Sequence, residues 1–195
     1  DKIVVAPNAV ADKVLERPRT DPLTARGRLG LPREGFWVGT VTSMVDYEGL
    51  DTLVEAVALA REAGHDLRAA LVGDGVARPG LIHRVHELGL NDAIVFPGRV
   101  PADETLHWHE ALDVFTVPRR DTPVCRYVTP LKPLEAMALG RPVLASDLPA
   151  LAEVTADGAV GALVPPDDPQ AWASALIAAQ SDRQWRRTAE ERGRA

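Results

Sequence analysis

Short apolar runs alternate with longer amphipathic ones along this chain, and that alternation restricts the fold more than any single motif. The runs "FWVGTVTS" (Phe36 to Ser43), "LRAALVG" (Leu67 to Gly73), "AIVFPG", "LDVFTVP", "RPVLAS" and "GALVPP" each predict a strand. Helical stretches separate them. In "GLDTLVEAVALAREAG", Leu50, Leu53, Val54, Val57 and Ala58 share one face, and Gly64 ends the pattern. "RPGLIHRVHELG", "ADETLHWHEA", "KPLEAMALG", "LPALAEVTADG" and "DDPQAWASALIAAQ" follow the same logic, and an Arg-rich helix closes the chain. The acids of "ADETLHWHEA" are expected in its first turn, where the helix dipole favours them. Strand and helix thus alternate about six times, which predicts an α/β fold: a doubly wound, mostly parallel sheet of about six strands with helices on both faces. In such sheets ligands bind beyond the carboxyl ends of the strands. The segment "PRTDPLTARGRLGLPREG" reads as a loop or short helix leading into the first strand.

Composition narrows the function. A length of 195 residues suits one sizeable domain, and 46% hydrophobic content supports a packed core. The net charge of −6 argues against a general nucleic-acid binder but leaves room for one basic pocket. Cys125 is the single cysteine, so no internal disulfide can form and a reducing compartment is the simplest expectation. No apolar run reaches membrane-spanning length, and no signal peptide opens the sequence. The abrupt start at Asp1-Lys2-Ile3-Val4-Val5 suggests a piece of a larger protein cut at an interdomain linker.

Most candidate chemistries are weak. "VGDGVARPG" lacks the third glycine of a dinucleotide fingerprint, since Arg78 stands there; its glycines fit either close backbone approach to a ligand or a tight strand-to-helix turn. No phosphate-binding Walker loop is present. No metal site is expected: His65, His83, His86, His107 and His109 are joined by neither cysteines nor an H-E-x-x-H pattern, and they read as solvated helix surface. Cys125 has no nearby histidine, and no G-x-S-x-G occurs.

"VPRRDTPVCRYVTPLKPLEAM" is different. It follows a strand end, is long for a strand-to-helix connection, and carries Arg119, Arg120, Arg126 and Lys132. Its helix is expected to begin near Leu131, so that free N–H groups and the helix dipole favour an anion there. Glu135 lies one turn in. It can accept from the two neighbouring hydroxyls of a ribose, or simply complement the dipole of an apolar helix.

Taken in order, the motifs resemble one family. "VVAPNAV", "VGTVTSMVDYEGLDTLVEAV", "LVGDGVARPGL", "IVFPGRVPADE", "LDVFTVPRRD" and "PLEAMALGRPVLASDLPALAEVTADGAVGALVPPDD" are together similar to the C-terminal, donor-binding domain of group 1 (family 4) retaining glycosyltransferases of the GT-B, Rossmann-like fold. The resemblance implies an interdomain linker over residues 1–12, a nucleotide-sugar-binding domain over 13–195, and an N-terminal acceptor domain as partner. By position, Glu135 matches the second glutamate of E-x(7)-E, which holds the ribose. Leu131 and Lys132, with Thr129 and Pro130 before them, match the helix start that binds the diphosphate. Arg99 and Val100 match the loop whose backbone reads the base. Gly73 and Gly75 match the glycine turn at the cleft.

The sequence departs from the family at three places. Tyr127 stands where the first glutamate holds the donor sugar, Ser43 where an arginine is usual, and Glu48 where a lysine is usual. Those two cations normally neutralise the leaving diphosphate, and charge removed from water needs compensation. Lys132, Arg119 and Arg120 are the expected replacements. The implied activity is sugar transfer from a nucleotide diphosphate sugar to an acceptor hydroxyl with retention, without a cofactor. The domain alone is expected to bind nucleotide without turnover. A non-catalytic nucleotide-sugar-binding module and a GT-B nucleotide-sugar epimerase are the alternatives. The cytoplasm is the expected location, with membrane contact only through the other domain and no nucleic-acid partner.

Overall fold

The computed structural model describes residues 8–194. Helices α1 (Asp12–Leu15) and α2 (Pro22–Arg28) precede strand β1 (Phe36–Val41). Then come α3 (Leu50–Glu62), β2 (Leu67–Val72), α4 (Arg78–Glu87), β3 (Ile94–Gly98), α5 (Thr105–Ala111) and β4 (Val114–Val117). The chain continues through α6 (Pro123–Tyr127), α7 (Lys132–Ala138), β5 (Val143–Ser146), α8 (Pro149–Val154), β6 (Ala162–Val164), α9 (Pro169–Ser181) and α10 (Arg183–Arg192). The strands form one sheet in the order β3-β2-β1-β4-β5-β6, and every neighbouring pair is parallel. This is the doubly wound α/β fold expected from the alternation.

Side-chain alternation along the strands explains why both faces are covered. In β1, Phe36 and Val38 enter one core with Leu53, Val57, Leu71 and Trp172, beneath α3 and α9. Trp37 and Val41 enter the other with Trp108, Phe115, Met137 and Leu151, beneath α5, α7 and α8. A strand buried on both sides carries no polar face, which is why its sequence reads as a continuous apolar run. The segment before β1 is a short helix rather than a loop. Asp21 caps α2 by accepting from Thr24 N at 3.0 Å. Buried Arg26 donates to the Ala111 carbonyl at 2.9 Å and pairs with Asp113, fixing α2 against the α5–β4 junction.

Some local expectations change. Helix α5 begins only at Thr105 and has no acid in its first turn; the acids occupy the turn before it. Residues 1–7 of the expected linker, and with them most of "VVAPNAV", lie outside the described residues. Within that stretch, Asn8 Nδ2 donates to the Thr129 carbonyl at 3.2 Å, and α1 already starts at Asp12. Trp185 packs against the core beneath α3 and α9. Asp182 caps its helix, accepting from Trp185 N at 2.8 Å.

The order of strands fixes where a ligand fits. The chain builds outward from β1 to β3, then returns to lay β4 on the other side of β1. Successive connections therefore leave in opposite directions at the carboxyl ends of β1 and β4, which opens a crevice.

Candidate functional site

Backbone pairing continues past the ends of β1 and β2. Thr42 N donates to the Val72 carbonyl at 2.9 Å and Met44 N to that of Asp74 at 3.0 Å. Gly73 (φ +129°) and Gly75 (φ +159°) permit this: a Cβ would lie 1.9 Å from the Thr42 carbonyl oxygen at the first and 2.3 Å from that of Met44 at the second. The close approach these glycines allow is thus to neighbouring backbone, which favours the tight-turn reading of "VGDG".

Above this zipped pair of loops sits a cavity of about 180 Å³. Ser43, Gly73, Arg99, Val100 and Lys132, far apart in sequence, all line it. Thr42, Asp74 and Thr105 line it too and were not singled out from sequence. Arg99 is exposed and forms no ion pair among the described residues. Lys132 opens α7, which begins with no side-chain cap, and its Nζ donates to Glu135 Oε2 at 3.2 Å. Glu135 is half-buried on the same short helix, one turn in, as its spacing requires. Leu131 is the N-cap residue of α7 and Pro133 takes its second position. Thr129 and Pro130 lead into it, half-buried, while Tyr127 ends α6 with 83% of its surface exposed.

Beneath Glu135 lies His109, which contradicts the expectation of solvated histidines. It is fully buried on α5 and stacks on Phe115 with ring centroids 4.8 Å apart. Its Nε2 is 3.9 Å from Glu135 Oε2. Burial, and then the nearby Lys132 charge, push its pKa down to about 3, so it is neutral near pH 7 and the contact is not an ion pair. His107, two residues away, is half-buried and joins Arg17 and Glu110 at 2.9 and 3.1 Å.

The structure corrects the expected role of Arg119 and Arg120. Arg119 donates to Glu48 Oε1 at 2.8 Å and to the Val128 carbonyl at 3.1 Å. Both side chains of that pair are nearly buried, so the glutamate at the family's lysine position neutralises the arginine meant to replace it. Arg120 turns toward the opposite side of the loop, bonding Asp51 at 2.5 Å and Asp167 at 2.8 Å. Neither arginine reaches the cavity that holds Lys132. Arg120 instead lines a second cavity, of about 240 Å³, between α3 and α4. The cations of that second cavity are already paired, since Arg84 bonds Glu55 at 2.5 Å. The Lys132 cavity is the better candidate because it retains an unpaired cation and sits at the strand ends.

Among the described residues, no three or more His, Cys, Asp and Glu side chains gather as metal ligands would. No described helix is long and apolar enough to cross a membrane.

Comparisons with known proteins agree with the fold. Residues 35–182 match the family model described as "Glycosyl transferases group 1". The D-inositol 3-phosphate glycosyltransferase of Nocardia farcinica is 35% identical over 190 residues, covering 94% of this chain and 41% of the relative. That of Corynebacterium urealyticum is 31% identical over 186 residues, 92% of this chain and 43% of the relative. The chain therefore spans about two-fifths of the length of the curated relatives it matches. Among solved structures, the C-terminal domain of a glycosyl transferase group 1 family protein from Francisella tularensis superposes with a TM-score of 0.80 at 24% identity, covering 95% of each chain. Anabaena Alr3699/HepE, solved with UDP and glucose, also gives 0.80, at 23% identity over 96% of this chain and 50% of that one.

Proposed function

This chain belongs to the group 1 glycosyltransferases, and from that membership we propose that it is the C-terminal, donor-binding part of an enzyme that transfers a sugar from a nucleoside diphosphate sugar to an acceptor hydroxyl with retention. Residues 13–195 form that part, residues 1–12 lead into it, and an N-terminal domain supplies the acceptor site. The observation that carries the reading is the cavity beyond the carboxyl ends of β1, β2 and β3. Lys132, which bonds Glu135, lines it together with Arg99 and Val100, and it lies beyond the strand ends, where this fold binds ligands. UDP in Anabaena Alr3699/HepE makes uracil the first base to try.

Each residue then has a physical task. Glu135 accepts from the two ribose hydroxyls. Lys132, with the backbone of Leu131 and the turn at Thr129 and Pro130, meets the diphosphate. The backbone at Arg99 and Val100 reads the base edge, and Gly73 and Gly75 hold the cavity wall in place. Ser43 faces the phosphates as a neutral donor. Tyr127 offers a phenol, rather than a carboxylate, to the donor sugar. Catalysis rests on stabilising the charge that grows on the leaving diphosphate, which preorganised cations and N–H groups do in a site shielded from water. With Arg119 and Arg120 neutralised, Lys132 is the central cation and Arg99 the second. The acidic, cysteine-poor chain suits the cytoplasm.

The Glu48–Arg119 pair also favours a second reading, a binding module without turnover, because it removes charge from the place where the leaving group needs it. Calorimetric titration with UDP, GDP and ADP, beside a Glu135→Ala variant, tests the donor site. Binding of one diphosphate that weakens at least tenfold in the variant is expected. Binding that ignores the variant overturns the assignment of Glu135. Sugar transfer by this chain joined to its N-terminal domain separates enzyme from module.

A further inference from the structure

His109 has no role in the reading above, yet it is the most constrained polar group near the cavity. It is 0% exposed, and both ring nitrogens are buried without a hydrogen-bond partner among the described residues. A buried donor left unmade is costly and rare in native folds, so such a group calls for a partner in some state of the protein. Phe115 occupies one face of the ring and fixes its plane. The carboxylate in reach is Glu135, whose Oε2 lies 3.9 Å from His109 Nε2, about 1 Å beyond hydrogen-bond distance. That same oxygen is held by Lys132 Nζ at 3.2 Å. One carboxylate oxygen thus stands between two donors, one on the cavity wall and one in the core.

We propose that His109 is a positioning residue for Glu135: when a nucleoside diphosphate draws Lys132 to its phosphates, the Nε2–H of the neutral imidazole takes over Oε2 and leaves Oε1 facing the ribose hydroxyls. This rests on the donor-site reading. The exchange follows from charge. A diphosphate at Lys132 competes with a single carboxylate for the ammonium, and Lys132 is exposed enough to swing toward it. Glu135 would then lose its one charged partner among the described residues while half-buried, unless another donor replaces it. His109 supplies that donor with no second positive charge, because burial and Lys132 hold it neutral. The stacked ring makes the carboxylate orientation definite rather than one of several rotamers.

The test is a double-mutant cycle read by calorimetry, with UDP, GDP and ADP as probes. His109→Phe keeps the stack on Phe115 and removes both nitrogens. It is expected to weaken the diphosphate that binds by about tenfold, the low end of what a hydrogen bond to a charged group contributes. Its melting temperature at pH 7.5 should not fall, since an unpartnered group has been removed. His109→Gln, whose amide nitrogen can reach the place of Nε2, should restore affinity to within about threefold of the parent. In a Glu135→Ala background, His109→Phe should have no further effect. Where that background binds too weakly to measure, the His109 ring ¹⁵N signals decide: Nε2 should shift on saturation of the parent chain. Full affinity in His109→Phe, an equal loss in both backgrounds, or an unmoved Nε2 signal would each overturn the inference and leave the donor site standing. Failure of the parent chain to bind any of the three diphosphates would bring down the donor reading itself, and this inference with it.

Discussion

Replacing His109 by phenylalanine should make the fold less sensitive to mild acid, and the size of the effect follows from its burial. The imidazole titrates near 6.5 when exposed and near 3 in the fold, because burial and then Lys132 disfavour its charged form. With the folded pKa below the unfolded one, the unfolded state takes the proton first. Stability from this group is therefore complete above about pH 6.5 and is lost as the pH falls toward 3. Linkage gives a loss of about 2 kcal/mol between pH 7.5 and pH 5 from this one side chain. The ring meets Lys132 and Glu135 from α7 and Phe115 from β4. The Lys132 charge acts in the same direction as burial and reinforces the effect. Urea unfolding followed by tryptophan fluorescence, at both pH values, measures the difference between parent and variant and cancels the acid response common to both. The gap should move by about 2 kcal/mol in favour of His109→Phe, roughly 1 M urea for an m-value near 2 kcal/mol/M. Parallel pH dependence in the two proteins would mean that the imidazole is solvated or charged in the fold, and the reasoning about its burial would be wrong.

Three further outcomes are expected. Glu48→Ala or Arg119→Ala alone leaves a nearly buried charge unpaired and should cost about 3 kcal/mol in urea unfolding, whereas the double variant should cost less than the sum by about 1–3 kcal/mol; strict additivity would show that the pair is not coupled. Gly73→Ala forces a side chain onto a φ of +129° with a carbonyl 1.9 Å away, so a loss of about 3 kcal/mol and a melting temperature lower by roughly 6–12 °C are expected; a melting curve like the parent's would mean the two loops do not pair as described. Tyr127→Ala removes a side chain that is 83% exposed and should leave stability within about 0.5 kcal/mol by thermal melting; a larger drop would place the phenol in the packing.

The sheet was legible because its inner strands β1, β4 and β5 are buried along their whole length and β2 at all but Arg68, so they appear as mostly apolar runs between glycines, prolines and charges, while the half-buried edge strands β3 and β6 are short and still apolar. Alternation also gave the end of the sheet at which ligands bind, but the strand order that opens the crevice came only from the fold. Side-chain partnerships were not legible in the same way. Arg119 and Glu48 are 71 residues apart, and Arg120 and Asp51 are 69 apart. Only the placing of β4 beside β1 brings them together, so free cations and neutralised ones look alike in sequence. Helix α6 escaped notice because five residues are too few for a helical period, and its content is partly charged. His109 was misjudged for a related reason. Helix α5 buries four consecutive residues, Trp108 to Ala111, so it has no polar stripe from which an inward histidine could be told. The one available signal was position: "HWHEALDVF" places His109 directly before the apolar strand that receives its ring.

The most direct test of the central claim is a crystal structure of this chain soaked with UDP, GDP or ADP. The account predicts one nucleotide at the carboxyl ends of β1 and β2, with its ribose hydroxyls on Glu135, its phosphates at Lys132 and its base against Arg99 and Val100. Density in the cavity between α3 and α4, on Arg84 and Arg120, with Lys132 still bonded to Glu135, would contradict it.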